Sequence, residues 1–321
     1  MDAHEASQQR RPREILPSEV AKCKKDWDQF LFSGEVPIAR KVNVPLPLGE
    51  TFRKIERFHI TYEIEEGVST EAYLLRPIET QGRLPGVVLF HDSGPTAFEA
   101  AASIDEGPET SIAARLVKKG YVVLCPKCFI YGEEAVPATD LRDIHRQEVQ
   151  RMQRRHPRWT GLARMILDGI RAVDVLCSFP FVNQGRIGTI GHSLGGKQVL
   201  FVMAFDKRVK AGVSSDAGIG LKFSNWHDIW YLGQEIRTEG FPLETHQVLA
   251  MIAPRAFLIV GGIHDDDRAW PLVAGAKALW DWFGSSNKIA WYRHNGGHRF
   301  PPEALKESYR FLNRHLGVAA V

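Results

Sequence analysis

Apolar and polar residues alternate along FRKIERFHITYEI, from Phe52 to Ile64, and again along VSTEAYLLRP after Glu66-Gly67. Period-two alternation puts every second side chain on one face of a strand, so these segments predict an antiparallel hairpin at a sheet edge. Beyond Leu84-Pro85 the pattern changes to short continuous apolar runs: GVVLF, YVVLC (121–125), RIGTI (186–190), AGVSS (211–215), AFLIV (256–260) and KIAWY (288–292). A strand without a polar face is a strand covered on both sides. Stretches of helical periodicity separate most of these runs, among them TSIAARLVKKG, GLARMILDGIRAVDVLCSF, GGKQVLFVMAFD and LVAGAKALWDWFG. Buried strands alternating with helices predict βαβ units and a mostly parallel, doubly wound sheet with helices on both faces.

The N-terminus follows a different pattern. Its first seventeen residues are polar and broken by Pro12 and Pro17, and read as a tail. Ser18 then precedes EVAKCKKDWDQFLFSG, where Val20, Trp27, Phe30 and Leu31 recur at helical spacing and Gly34 follows as a stop. This predicts an amphipathic helix outside the main domain, free to pack on a second subunit of a homo-oligomer. The division is therefore residues 1–50, a tail, helix and proline-broken linker, and residues 51–321, the α/β domain. Two cap-like inserts interrupt the latter, at about 141–160 and 216–250. The first is rich in arginine (Arg142, Arg146, Arg151, Arg154, Arg155, Arg158) and the second carries Trp226, His227, Trp230 and Tyr231. Both follow strands, which places them at the carboxyl edge of the sheet, where open α/β proteins bind ligands.

Composition narrows the class. Of 321 residues, 44% are hydrophobic and 25% charged, enough apolar content for a core and against disorder. A net charge of +3 points to neither nucleic acid nor an anionic membrane as partner. No apolar run approaches the ~20 residues of a membrane span, and no apolar core follows the charged N-terminus as in a secretory signal. Four cysteines are too sparse for a disulfide framework. The expectation is a soluble, cytoplasmic α/β protein.

The chemistry centres on Gly191-His192-Ser193-Leu194-Gly195, a G-x-S-x-G between the strand RIGTI and the helix that begins near Gly195. A serine on a sharp strand-to-helix turn is pushed into the cleft, and glycines flank it because side chains there would meet the neighbouring backbone. The helix N-terminus behind it favours developing negative charge. A serine hydroxyl needs a base, and the base an orienting acid. In this strand order the acid precedes the histidine. AFLIV runs into Gly261-Gly262-Ile263-His264-Asp265-Asp266-Asp267, an acid in the expected place, and KIAWY leads to Asn295-Gly296-Gly297-His298 on a glycine loop before the last helix. His298 is the expected base.

Here the chain, over about residues 52–316, resembles the α/β-hydrolase superfamily, and within it the serine esterases of dienelactone-hydrolase-like and acetyl-xylan-esterase-like type. The residues that carry the resemblance are GHSLGG, APRAFLIVGGIHDD, NGGH, RIGTIGHS after a FPFVN loop, and FHDSG after the third core strand. Glucuronoyl esterases are similar more distantly, through GHSLGGKQVLFVMAFDKRVKA. The resemblance implies an α/β-hydrolase fold and hydrolysis of a small-molecule carboxylic ester through an acyl-enzyme on Ser193, without a cofactor. Counting three past Gly262, as similar proteins do, gives Asp265 as the triad acid, with Asp267 as runner-up. The oxyanion hole implied is the Leu194 N–H with a second N–H from His91-Asp92-Ser93-Gly94, that of Ser93, although the usual glycine after His91 is displaced.

Other candidates weigh less. Asp216, just after AGVSS, is an acid from a different strand and ranks below Asp265. His294 lies four residues before His298, but the intervening Asn-Gly-Gly is a turn, a poor setting for paired metal ligands. His192, Asp92, Trp226 and Trp230 are candidates for touching substrate, while His91, His227 and His246 read as structural. Cys125-Pro126-Lys127-Cys128 is a lone C-x-x-C with no second pair for zinc. No metal is implied, and the arginine-rich insert reads as a solvated helix face paired with Asp143 and Glu148. A peptidase of the prolyl-oligopeptidase type shares the triad but usually carries a propeller for which this chain has no room. A non-catalytic binding protein on the same fold is the remaining alternative.

Overall fold

The protein is described by a computed structural model over residues 14–79, 82–104, 111–132 and 141–318. In chain order the elements are α1 (Val20–Phe32), β1 (Glu50–Phe52), β2 (Ile55–Glu65), β3 (Val68–Pro77), β4 (Leu84–Phe90), α2 (Ala97–Ala101), α3 (Ile112–Lys118), β5 (Val122–Pro126) and α4 (Leu141–Arg155). There follow α5 (Gly161–Ser178), β6 (Val182–His192), α6 (Leu194–Phe205), β7 (Val209–Ser215), α7 (Thr245–Ile252), β8 (Ala256–Gly261), α8 (Trp270–Trp282), β9 (Ile289–Arg293) and α9 (Pro302–Leu316). Among the described residues the strands form one sheet in the order β1-β2-β3-β5-β4-β6-β7-β8-β9. The β2–β3 hairpin is antiparallel and joins β5 antiparallel, while β5, β4, β6, β7, β8 and β9 run parallel. This is the open, mostly parallel sheet of an α/β-hydrolase fold.

The alternating strand β2 buries Ile55, Phe58, Ile60, Tyr62 and Ile64, and the continuous apolar runs β4, β5 and β8 are buried along nearly their whole length. Two apolar layers result, one on each face of the sheet. One gathers α1, α5, α6, α7 and α8, and the other α2, α3 and α9. Glycine lets the central helices approach closely: a Cβ on Gly169 of α5 would lie 2.2 Å from Val202 Cγ2 of α6. Helix α5 starts on Thr160, whose hydroxyl accepts the Ala163 N–H at 3.1 Å.

Helix α1 is not outside the main domain as its position in the chain suggests. Trp27, Leu31 and Phe32 have no exposed surface and belong to the same core as α5 and α6. Trp27 meets Phe201 edge-on at 5.3 Å, and Phe32 meets Trp159 at 5.2 Å. An amphipathic stripe needs an apolar surface to cover it, and this chain supplies one from its own α6 and α7. The arginine-rich insert is helix α4, which buries only Val149 and Met152 and pairs Arg146 with Asp143 and Arg151 with Glu148. No helix among the described residues is long and apolar enough to cross a membrane.

Candidate active site

Four parallel strands deliver the site. At the carboxyl ends of β4, β6, β7 and β8 the chain turns at His91, Ser193, Asp216 and Gly262, and β9 leads by a short loop to His298. Ser193 sits at φ 52°, ψ −110°, in the left-handed half of backbone space that non-glycine residues avoid. The turn holds because nothing larger than glycine fits around it. A Cβ on Gly195 would lie 2.1 Å from the Phe90 carbonyl oxygen, and one on Gly191 would lie 2.5 Å from the Gly195 backbone. The Ser193 N–H is bonded to the Ser215 carbonyl at 2.8 Å, which pins the turn to β7.

His298 bridges the candidate nucleophile and an acid. Its Nε2 is 2.8 Å from Ser193 Oγ, and its Nδ1 is hydrogen-bonded to Asp216 Oδ2. Asp265, the acid expected from the glycine count, is not the partner of His298. Its carboxylate is buried beneath the site, where it accepts the backbone N–H groups of Ala217 at 2.8 Å, Gly218 at 3.1 Å and Ile219. Asp266 is tied to Arg268, and the Asp267 side chain is 94% exposed. The correction has a local cause. Asp216 itself has φ 47° and its N–H donates to Val260 of β8, so its side chain is turned toward the β8 loop and reaches the histidine first.

The other oxygen of Asp216, Oδ1, accepts the N–H groups of Gly262 at 3.2 Å, His264 at 2.8 Å and Asp265 at 3.1 Å. Burial acts to raise the Asp216 pKa. The His298 bond and the backbone donors of His264 and Asp265 outweigh it and hold the carboxyl below its ordinary value. Burial pushes Asp265 the other way, up to about 6, against the pull of its backbone donors and with the Asp216 charge adding to the rise. Asp216 is therefore the group suited to face an imidazolium.

Of the residues proposed to line the site, His192 does so. Its Nδ1 is 2.9 Å from Ser215 Oγ, its ring lies 4.8 Å from that of His298, and desolvation pushes its pKa down to about 4. Asp92 Oδ2 stands 3.9 Å from His192 Nε2 on the other side. Trp226 is buried and spends its N–H on the Gly218 carbonyl at 2.7 Å, while Trp230 stacks on Tyr231 at 3.7 Å and borders a cavity of about 470 Å³ beside α4. The Leu194 N–H occupies the first position of α6, where no intrahelical carbonyl can take it. The Ser93 N–H is less available than expected, because it donates to Asp92 Oδ1 at 2.6 Å.

One residue of the site escapes sequence reasoning. Lys197, one turn after Ser193, is buried with its ammonium 4.8 Å above Trp226 and 5.3 Å from Tyr231, and it donates to Asn225 Oδ1 at 2.5 Å. Desolvation brings it down to about 7, with Asp265 and Asp216 opposing. Its only signal was a charge inside the otherwise apolar helical run GGKQVLFVMAF. Among the described residues, one cluster has metal-ligand types within 4.8 Å of one another: Asp216, His264 and His298. Both oxygens of Asp216 and both nitrogens of His298 are already committed to the serine relay and its loops. Cys125 and Cys128 are buried free thiols, and burial pushes Cys128 up to about 12.

Residues 70–215, which contain the elbow and the loop after β4, match the dienelactone hydrolase family. Over that stretch the chain is similar to dienelactone hydrolases. A Bacillus subtilis (strain 168) protein named as a hydrolase, YtaP, is 26% identical over 314 residues, 89% of this chain and 97% of its own. Among solved structures, a glucuronoyl esterase from Solibacter usitatus superposes with a TM-score of 0.69 at 15% identity, covering 93% of this chain and 92% of the other. A glucuronoyl esterase of carbohydrate esterase family 15 from Teredinibacter turnerae gives 0.65 at 18% identity, covering 92% and 84%. A Bacteroides fragilis protein named as an acetyl xylan esterase gives 0.67 at 14%, covering 90% and 78%. At these identities the structures show a shared fold. The family match and the Bacillus relative together support a hydrolase.

Proposed function

We propose that this hydrolase cleaves small-molecule carboxylic esters through an acyl-enzyme on Ser193. The observation that carries the reading is the single imidazole, His298, held between Ser193 Oγ at 2.8 Å and Asp216. The hydrogen bond to Asp216 fixes the tautomer with its proton on Nδ1, which leaves the Nε2 lone pair facing the serine hydroxyl. Ser193 Oγ attacks the ester carbonyl while Nε2 takes its proton, and Asp216 stabilises the imidazolium. Collapse of the tetrahedral intermediate breaks the acyl–oxygen bond, and His298 returns the proton to the departing alkoxide. Water then attacks the acyl-enzyme by the same route and releases the carboxylic acid.

The ester reading is supported by the proteins that share this fold, which are named as glucuronoyl and acetyl xylan esterases. The Leu194 N–H at the head of α6 faces the developing oxyanion, with the partial positive charge of the helix terminus behind it. The test is covalent labelling with a fluorophosphonate together with p-nitrophenyl ester turnover. Wild-type chain is expected to take one label at Ser193 and to show an acyl-enzyme burst, and the Ser193→Ala variant neither. A wild-type chain that binds label elsewhere, or not at all, sinks the reading.

A further inference from the structure

We propose that the Tyr131 hydroxyl is a hydrogen-bond donor of the oxyanion hole, supplied from the turn after β5. The inference rests on the esterase reading above and names a catalytic residue that the nucleophile motif does not reveal. An acyl-transfer site needs two donors converging on the carbonyl oxygen. Leu194 gives one. The loop after β4 is the usual source of the second, and here the N–H groups of Ser93 and Gly94 are turned to other uses. The Ser93 N–H donates to Asp92 Oδ1 at 2.6 Å, and the Gly94 N–H donates to Tyr131 Oη at 2.6 Å.

That second bond places the phenol. Its oxygen accepts from Gly94, so its own proton is directed away from Gly94, and among the described residues no acceptor takes it. The loop that Tyr131 touches lies directly against the head of α6: a Cβ on Gly195 would stand 2.1 Å from the Phe90 oxygen and 2.8 Å from the His91 oxygen. The Tyr131 hydroxyl is thus hydrogen-bonded to a loop whose first residues pack on the head of α6. Burial raises its pKa, so it remains a protonated donor at neutral pH.

The turn after β5 is also built to hold the phenol still. The Cys128 N–H donates to His91 Nε2 at 3.0 Å, which leaves His91 Nδ1 to donate to the Asp92 carbonyl at 2.7 Å. The ring of Tyr131 packs between His91 at 5.5 Å and His145 at 5.4 Å. A donor fixed before substrate arrives needs no reorganisation during the reaction, which is what makes such a group effective.

The experiment uses the full chain and Tyr131→Phe, which keeps both ring contacts. Its kcat toward a p-nitrophenyl ester is expected to fall about 100-fold with KM within about threefold, as for loss of one oxyanion donor. Affinity for a phenylboronic acid, whose adduct on Ser193 is tetrahedral, is expected to weaken in parallel. Tyr131→Gln, which can accept from Gly94 and still donate, is expected to run at least about tenfold faster than the Phe variant. An unchanged kcat, or a rise in KM alone, overturns the proposal and returns the second donor to the loop backbone. Should Tyr131→Phe not melt cooperatively, Tyr131→Met replaces it, and a Gln variant no faster than Met overturns the proposal equally. Fluorophosphonate labelling separates the two levels. An unlabelled wild-type chain overturns the esterase reading and this one with it, whereas a labelled wild type beside an indifferent Tyr131→Phe overturns this one alone.

Discussion

The carboxylates of Asp216 and Asp265 each organise the loop that carries the other. Asp216 Oδ1 accepts the N–H groups of Gly262, His264 and Asp265, while Asp265 accepts those of Ala217, Gly218 and Ile219. The two acids sit at the ends of adjacent parallel strands, β7 and β8. Only Asp216 has an oxygen left over for His298. One acid holds His298, and the other keeps the first in place.

Asparagine at the two positions separates these roles. Asp216→Asn is expected to lower kcat by about 10³–10⁴-fold with folding intact, because an amide at this site favours the wrong imidazole tautomer and cannot stabilise the imidazolium. Asp265→Asn is expected to cost about tenfold in kcat and to lower the melting temperature, since half of an amide is a donor facing three N–H groups. Asp267→Asn is expected to stay within twofold of wild type. Steady-state rates and melting curves for the three variants decide it, and a crippled Asp265→Asn beside an active Asp216→Asn would reverse the assignment.

Ser193→Ala is expected to abolish turnover without unfolding the chain, and His298→Ala to follow within about tenfold of it. His294 accepts the Gly296 N–H at 3.1 Å and makes no bond to Ser193, so His294→Ala is expected to lose less than tenfold. Chelators are expected to leave wild-type rates unchanged. Equal damage from the two histidine variants, or chelator sensitivity, would point to metal chemistry instead.

Asp265 also predicts a pH signature in stability. Its folded pKa, about 6, lies above the ordinary carboxyl value of 3.8, so between these pH values the folded state holds more protons than the unfolded one. Its contribution to stability therefore falls as pH rises from about 4 to about 6, by on the order of 2–3 kcal/mol, and is level above that. Urea denaturation of wild type and Asp265→Asn across this range gives the difference. A wild-type curve that rises relative to the variant over this window would contradict the sign.

Gly195→Ala is expected to yield little soluble protein or a chain with no turnover. The added Cβ would stand 2.1 Å from a backbone carbonyl oxygen of β4, a contact no side-chain rotation relieves. Gly284→Ala is a control for substitution at a glycine with open space, although its φ of 62° carries a modest cost of its own. Expression yield and esterase rate for the two variants read the difference.

Trp27→Ala is expected to destabilise the whole fold by about 3–5 kcal/mol, as for a large aromatic removed from a core. The loss should appear as a single cooperative shift, since Trp27 shares its cluster with Phe201 of α6. A separate early transition involving only the N-terminal helix would mean that α1 is a satellite and not part of the core.

The order of elements follows from local sequence. Period-two alternation from Phe52 to Ile64, apolar runs such as AFLIV, and the helical stretches between them define hairpin, buried strands and cover without knowledge of neighbours. Ser193 and His298 are equally local: one lies on a glycine-flanked turn after β6, the other on a glycine loop after β9, and each position depends on its own strand. What tertiary structure decided is every choice among groups that several strands bring to the same edge. Asp216 and Asp265 both close adjacent strands, and the choice between them turns on a left-handed residue at the end of β7 and on which backbone N–H groups each carboxylate meets. Helix α1 has an apolar stripe that any apolar surface would satisfy, and only packing shows that its own α6 and α7 provide it. The N–H groups of Ser93 and Gly94 find their acceptors in Asp92 and Tyr131, and the second of these comes from a different strand. A periodic pattern specifies what a segment forms because it acts within a few residues; pairings across the sheet edge depend on distances that only the folded chain fixes.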